Sequence, residues 1–494
     1  VTVVESPKSG AGGMEYPTIT LIDKTDNGKE LDNLIYHEVG HNWFYGILGT
    51  NERMYPWMDE GMNSYYDKRY KFQYYPPYKN EPILKNKIPN NIEDLLTKTI
   101  SSIHKDQPIN TPSDKFSSFN YDLIAYNKTA MWMQMLETNL TKPVFDSVMK
   151  TYFNNWKFKH PYPEDFKAVS ENISQKDLSD EFDFLNKKGD LYANQKKSLH
   201  FVSYFSLKNT EKYNYISLMP MAGYNSYDKL MIGGLIHNYT LPINKLQFVF
   251  IPLYATGSKS FNHTGKFTYT IYPRFNDQRL ILSLNTSSFS NNIFVDSTGK
   301  KNYLRFSKIA PGLKYIFASI NPRSTFNKYI QWRTFLFNET SLNFSRDTIQ
   351  QAYIVTYPKI KRYLNQLQFV IEDNRKLYPY KTLFTAEQGK GFLRLGLTSN
   401  YFFNYKNGGG LNLRFFAGKF IYTQTPTYQT QYETDRYHLN LSAVNGSDPC
   451  IPRITTSHST AGPSPPIMGG AALSSARHRQ ENLGAVLGVR PWRC

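Results

Sequence analysis

At about Leu199 the spacing of apolar residues along this chain changes, and that change bounds the folds open to it. Before it, apolar positions recur at helical spacing. In L-D-N-L-I-Y-H-E-V-G-H-N-W-F-Y-G-I-L-G, residues Leu31, Leu34 and Ile35 share a face. After it they alternate. In K-F-T-Y-T-I-Y, Phe267, Tyr269 and Ile271 point one way while Lys266, Thr268 and Thr270 point the other. In K-Y-I-Q-W-R-T-F-L-F, Ile330, Trp332, Thr334 and Leu336 alternate with Gln331 and Arg333. A helical period does not sit as a strand, nor the reverse, so two differently built regions are expected. At 494 residues the chain is also too long for one ordinary domain.

The first region reads as a helix running to a stop at Gly49, then helices over 59–75 and 118–140, from Thr141 to Asn155, and from Pro163 through Leu185. The second reads as strands near 228–238, 246–256, 279–288, 311–319, 361–372, 391–403 and 410–422, each about 9 to 12 residues long. Aromatic residues make up 16% of the chain, with 38 Tyr and 33 Phe, which argues against disorder. Long alternating strands of this composition suit an outer-membrane barrel, with a soluble sandwich or barrel as the other reading. The polar faces carry Lys, Arg, Gln, Asn and Thr. A wet lumen tolerates these and a packed sandwich core does not, which favours the barrel.

Other features set limits. No apolar run of about 18 residues exists, so no transmembrane helix is expected. The opening residues, V-T-V-V-E-S-P-K-S-G, are too short and polar for the apolar core of a signal peptide, and the chain reads as a fragment whose start is lost. The formal charge of +18 reads as a solvated basic surface, suited to anionic lipid or polysaccharide. No nucleic-acid motif accompanies it, so no nucleic-acid partner is expected. The two cysteines, Cys450 and Cys494, exclude a Cys-based zinc site and a disulfide framework in the body of the protein. From about Pro449 the composition turns to Ala, Gly, Ser, Pro and Arg, which marks 446–494 as a low-complexity, disordered or foreign tail.

The chemistry concentrates at 37–41, H-E-V-G-H. Two His four apart on a helix point the same way, so His37 and His41 reach one ion. Glu38 falls beside the open coordination position, where it takes a proton from metal-bound water. Glu60 follows His41 after 18 intervening residues, enough to end one helix, cross a loop and open another. It reads as the third ligand; otherwise it is a helix N-terminal carboxylate favoured by the dipole. Asp59 reads as a helix cap in preference to an acceptor for a ligand His.

These residues resemble the M1 family of metallopeptidases, the aminopeptidase branch of the gluzincins. The resemblance rests on H-E-x-x-H, the spaced Glu60, and Gly12-Gly13-Met14-Glu15-Tyr16 upstream, similar to the family's G-x-M-E motif. It implies one zinc ion held by His37, His41 and Glu60, with Glu38 as catalytic base. It implies that Glu15, with Gly13 and Met14 beside it, binds the free amine of a peptide substrate. It also implies that Tyr126 stabilises the oxyanion and that Tyr121 assists. Tyr16 stands where the family usually has Asn, and Asn127 where many relatives carry Glu.

The resemblance covers residues 12 to about 185 and implies a thermolysin-like catalytic domain whose preceding β-domain is missing. The following region is similar to barrel-like extensions of Bacteroidetes M1-type peptidases. The expected fold class is α+β: a mainly helical thermolysin-like catalytic domain over 1–195, then an antiparallel all-β, barrel-like, outer-membrane and incomplete region over 196–445. The expected function is a zinc aminopeptidase acting on peptides with a free N-terminus, touching outer-membrane lipid and residing in the cell envelope. A non-catalytic outer-membrane protein with a degenerate peptidase module, or a gluzincin endopeptidase, are the alternatives.

Overall fold

The computed structural model describes residues 1–7, 12–76, 87–89, 91–191, 196–273, 278–319, 321, 323–347 and 353–425, and the backbone of 484–491. It divides into two compact units. The first is Val1–His200 with Phe205–Tyr215 and Thr240–Asn244; the second is Phe201–Tyr204, Ile216–Tyr239 and Lys245–Cys494.

The first unit opens with a small mixed sheet. β1 (Thr2–Ser6) pairs parallel with β3 (Ile19–Asp23), and β2 (Gly13–Met14) pairs antiparallel with β3. Gly12 leads into β2 at φ +88, where an L side chain is strained, and its N–H donates to Asp23 Oδ2 at 3.1 Å. Helix α1 (Gly28–Gly40) begins at Asn27, whose side chain accepts from Lys29 N at 3.0 Å. It stops at Gly40, short of the expected Gly49. The chain there leaves the helical ladder for tight turns, with Trp43 N donating to Gly40 O and Gly46 N to His41 O, and Tyr45 takes φ +92.

A wide π-helical turn, Trp57–Gly61, leads into α2 (Met62–Tyr74). A second one, Tyr121–Lys128, leads into the helix Thr129–Leu140. Such turns add a residue per turn and frequently mark functional positions. The core behind them is one aromatic-rich cluster. Trp57, Trp132, Phe145, Tyr152 and Phe166 are fully buried, and Trp57 meets Trp132 edge to face at 5.6 Å. Lys128 is buried with them, its Nζ 2.5 Å from Asp106 Oδ2, so the charge is paired.

The second unit holds most of one large antiparallel sheet. Its strands are β4 (Ser198–Ser203), β5 (Tyr213–Asn225), β6 (Lys229–His237), β7 (Leu246–Ala255), β8 (Ser260–Ile271), β9 (Arg279–Val295), β10 (Lys301–Ile316) and β11 (Phe326–Thr340). A separate hairpin, β12 (Asn343–Arg346) and β13 (Tyr353–Thr356), interrupts it. It resumes with β14 (Lys359–Asp373), β15 (Tyr380–Gly389), β16 (Phe392–Asn404), β17 (Gly410–Tyr422) and β18 (Gly484–Pro491).

The expected fold class is corrected on both counts. Strand makes up 44% of the chain against 27% helix, so a mainly helical reading fails. Among the described residues the 13-stranded sheet runs from β4 to β18 and those two edges do not pair, so the described sheet is open and does not close into a barrel. The reason is register. Alternation along each strand creates two faces but says nothing of whether the first and last strands meet. Residues 484–491 form β18, paired with β17 from Leu411↔Pro491 to Gly418↔Gly484. Residues 446–483 and 492–494, including both cysteines, lie outside the described residues.

The pairing sets what each face carries. Leu246, Tyr269, Leu282, Leu313, Trp332 and Leu367 are consecutive cross-strand partners, and each is exposed. The opposite face carries Lys266, Arg333, Gln366 and the buried pair Glu387 and Arg394, joined by two short hydrogen bonds.

Candidate active site

Three elements of the first unit bring the H-E-V-G-H residues and Glu60 together. His37 lies in the last turn of α1 and His41 is its C-cap, which sets their Nε2 atoms 3.2 Å apart. The π turn before α2 carries Glu60, whose Oε2 lies 3.4 Å from His37 Nε2 and 3.3 Å from His41 Nε2. One ligand atom from each lies within 4.8 Å of the others. Close packing of α1 on α2 makes this possible. A Cβ on Gly40 would meet Asn63 Oδ1 at 2.1 Å, and Asn63 Nδ2 donates to His37 O at 2.7 Å. A Cβ on Gly61 would meet Thr129 Cγ2 at 2.3 Å, so the π turn also lies hard against the helix that follows Tyr126.

The outer ring nitrogens are held by carboxylates. His37 Nδ1 lies 2.7 Å from Asp67 Oδ2, and His41 Nδ1 lies 2.6 Å from Asp59 Oδ1. Asp59 is fully buried and makes no capping bond, so it holds the His41 ring, and the cap reading is corrected. With both Nδ1 atoms donating, the two Nε2 lone pairs face each other beside Glu60 Oε2, a buried oxygen with no hydrogen-bond donor. That set repels itself unless a cation enters, and two imidazoles with one carboxylate are the donors a divalent metal takes. Protons are the competing cations. Burial opposes charge on each ring, yet Asp67 and Glu60 raise His37 to about 9, and Asp59 and Glu60 raise His41 to about 11. Metal must therefore displace protons here.

Glu38 is buried, and its Oε2 has no hydrogen-bond partner. Burial pushes its carboxyl up to about 7, His37 and His41 pull it down, and Glu15 and Glu60 push it further up. A Cβ on Gly13 would fall 2.3 Å from Glu38 Oε1, so β2 lies directly over this carboxyl and only glycine fits. Met14 is exposed and pairs with Leu21. Glu15 offers a carboxylate oxygen within 4.8 Å of Glu52 and Asp59. Tyr126 donates to Glu60 Oε1 at 2.5 Å and stacks on His37 at 6.0 Å between centroids. Burial and the Glu60 charge push its phenol well above the ordinary range. Tyr121 packs edge to face on Tyr126 at 5.7 Å.

The structure thus gathers His37, His41 and Glu60 at one point, with Tyr126 bonded to Glu60, Glu38 under β2, and Glu15 in a separate acidic group. It adds residues that sequence reasoning passed over: Asp67, Asn63 and Glu52. Asp67 had a usable signal, since it lies two helical turns beyond Glu60 on α2 and so faces the same way.

Residues 2–184 match the Peptidase family M1 domain. Aminopeptidase Q of Felis catus is 26% identical over 162 residues, covering 31% of this chain and 16% of its own. Leucine aminopeptidase 2 of Aspergillus clavatus is 29% identical over 183 residues, covering 35% and 28%. Aminopeptidase 2, mitochondrial, of Saccharomyces cerevisiae is 22% identical over 191 residues, covering 36% and 20%. The chain thus spans less than a third of the length of each of these relatives. Legionella pneumophila aminopeptidase A, solved in complex with aspartic acid, has a TM-score of 0.29 at 14% identity, covering 55% of this chain and 26% of its own, and nothing rests on so distant a likeness. The match to this peptidase family and the aminopeptidase names of the relatives together support a metallopeptidase.

Proposed function

We propose that the first unit is a zinc-dependent aminopeptidase, removing residues one at a time from peptides with a free N-terminus. The observation that carries the reading is the convergence of His37, His41 and Glu60 within 4.8 Å, with the unpartnered Glu38 carboxyl one residue from the first ligand. Zinc, when bound by those three residues, supplies Lewis acidity and an acidified water. Glu38 takes the proton of the attacking water and passes it to the departing amine; a carboxyl raised to about 7 is suited to both transfers. Tyr126 holds Glu60 through its hydroxyl and is the nearby neutral donor for negative charge developing on the carbonyl oxygen, with Tyr121 packed behind it. Glu15 pairs with the substrate ammonium, and the backbone of Gly13 and Met14 lies alongside.

Hydrolysis of leucine p-nitroanilide tests the reading. The purified chain should cleave it, lose activity to a chelator and regain it with zinc. Glu38→Gln should cut turnover at least about 100-fold while retaining the metal; undiminished turnover in that variant overturns the assignment. Glu15→Ala should impair free-amine substrates far more than N-acetylated ones. Equal impairment points to an endopeptidase.

Lipid contact and a cell-envelope location belong to the same proposal. Their support is the exposed row from Leu246 through Trp332 to Leu367 on one face of the open sheet. Flotation with liposomes tests it, and a chain that stays wholly in the aqueous fraction removes that part.

A further inference from the structure

We infer that Glu52 sets the first-residue preference of the proposed aminopeptidase, its carboxylate receiving the side-chain cation of an N-terminal lysine or arginine while Glu15 holds the α-ammonium. The inference rests on the aminopeptidase reading and deepens it. Carboxylate oxygens of Glu15, Glu52 and Asp59 lie within 4.8 Å of one another, with Asp59 buried, Glu15 half-buried and Glu52 exposed. Asp59 is committed to His41, 2.6 Å from its Nδ1. No hydrogen bond or ion pair joins the carboxylate of Glu15 or of Glu52 to a partner among the described residues. Two negative charges therefore stand a few ångströms apart, and a single ammonium can neutralise only one of them. A first residue with a second positive charge a few bonds from its α-amine neutralises both.

The pair opens on the same space as the proposed catalytic base. Glu38 is 6% exposed, and its Oε2 has no partner. A Cβ on Gly13 would meet Glu38 Oε1 at 2.3 Å, so the face of β2 that Gly13 presents is turned to Glu38. Residues two apart on an extended strand share a face, which turns Glu15 the same way. The Glu15 charge accordingly acts on Glu38. Glu52 continues this acidic lining outward to solvent, along the path a substrate takes in. Burial and then the Glu15 and Glu60 charges push the Glu52 carboxyl up, with His41 opposing. Arg53, its neighbour in sequence, makes no ion pair with it among the described residues.

Two phenols complete the surroundings. The charges of Glu15 and Glu52 act on both Tyr45 and Tyr121. Aromatic rings suit the methylene stem of lysine and the flat guanidinium of arginine, and a carboxylate beyond them suits the charge. Discrimination is also negative. An aliphatic first residue displaces water from Glu52 and offers it no partner, which costs binding.

Hydrolysis of lysine, arginine and leucine p-nitroanilides by the zinc-loaded full chain tests it. The two basic substrates should exceed leucine in kcat/KM by about tenfold or more, the worth of one hydrogen bond to a charged group. Glu52→Gln should lose about tenfold more on lysine and arginine than on leucine, mainly through KM. Glu52→Asp should retain part of the preference, since it keeps the charge. An unmodified chain that cleaves leucine as well as it cleaves lysine and arginine overturns this inference and leaves the aminopeptidase reading standing. An equal loss on all three substrates in Glu52→Gln also overturns it, and shows that Glu52 shares the α-ammonium. A chain that cleaves none of them overturns the aminopeptidase reading, and this inference falls with it.

Discussion

The two units use apolar side chains in opposite ways. In the first, Trp57, Trp132, Phe145 and Tyr152 gather into one fully buried cluster behind the candidate metal-binding residues. In the second, the described buried apolar residues form only small clusters, such as Met231 with Leu253 and Ala255, while Trp332, Leu246 and Leu367 lie exposed along one face. A helix has one buried stripe and must find a partner for it. A strand in a wide sheet satisfies its backbone through its neighbours, whatever its faces meet. Packing in the first unit therefore leaves no room for even a methyl group at Gly13, Gly40 or Gly61. In the second, register decides which groups stand side by side.

Four substitutions test this contrast. The largest effect is expected at the chemistry that the first core supports: Glu38→Gln should lower kcat by about 10² to 10⁴, the worth of general acid–base catalysis, with zinc content unchanged. Next, Trp132→Ala should cost about 3–5 kcal/mol, because it empties a fully buried site, and urea unfolding followed by circular dichroism reads it. Asp59→Ala should weaken zinc binding by about 10 to 100-fold by releasing His41 Nδ1, measured by competition with a chromophoric chelator. The smallest effect belongs to Trp332→Ala. Removing that exposed indole should change stability in water by about 0.5 kcal/mol or less, seen as a nearly unshifted urea midpoint. A Trp332 loss as large as that of Trp132 would break the contrast and show that the exposed row is load-carrying in water.

Metal loading should also depend on pH in a stated direction. His37 and His41 are raised by their carboxylate partners, so protons compete strongly for the same nitrogens. Zinc affinity should fall as pH is lowered, because each ring must shed its Nε2 proton to coordinate. Affinity independent of pH between about 8 and 6 would show that the rings are already neutral in the free protein.

How much was legible depended on distance along the chain. The His pair could be read from sequence because four residues on a helix is a local geometry, and Glu60 because one loop returns it to the pair. Asp67 and Asn63 required α2 to pack on α1, which no local pattern states. The end of α1 at Gly40 was hidden by continued apolar spacing through Leu48; turns after His41 overrode it. Asp59 was misread as a cap because its position in sequence suits both roles, and only burial against His41 distinguishes them.

Local order alone therefore determined which residues are candidate metal donors, which stretches alternate as strands, and that the chain is built in two styles. Tertiary structure decided what those residues meet. It chose the carboxylates that hold each imidazole, left the sheet open among the described residues, and brought Lys266, Lys308 and Arg333 from three strands to one cavity. The physical reason is that helical and strand periods are set by backbone geometry over a few residues. Packing and register are set by contacts between residues far apart in sequence, which no short pattern encodes.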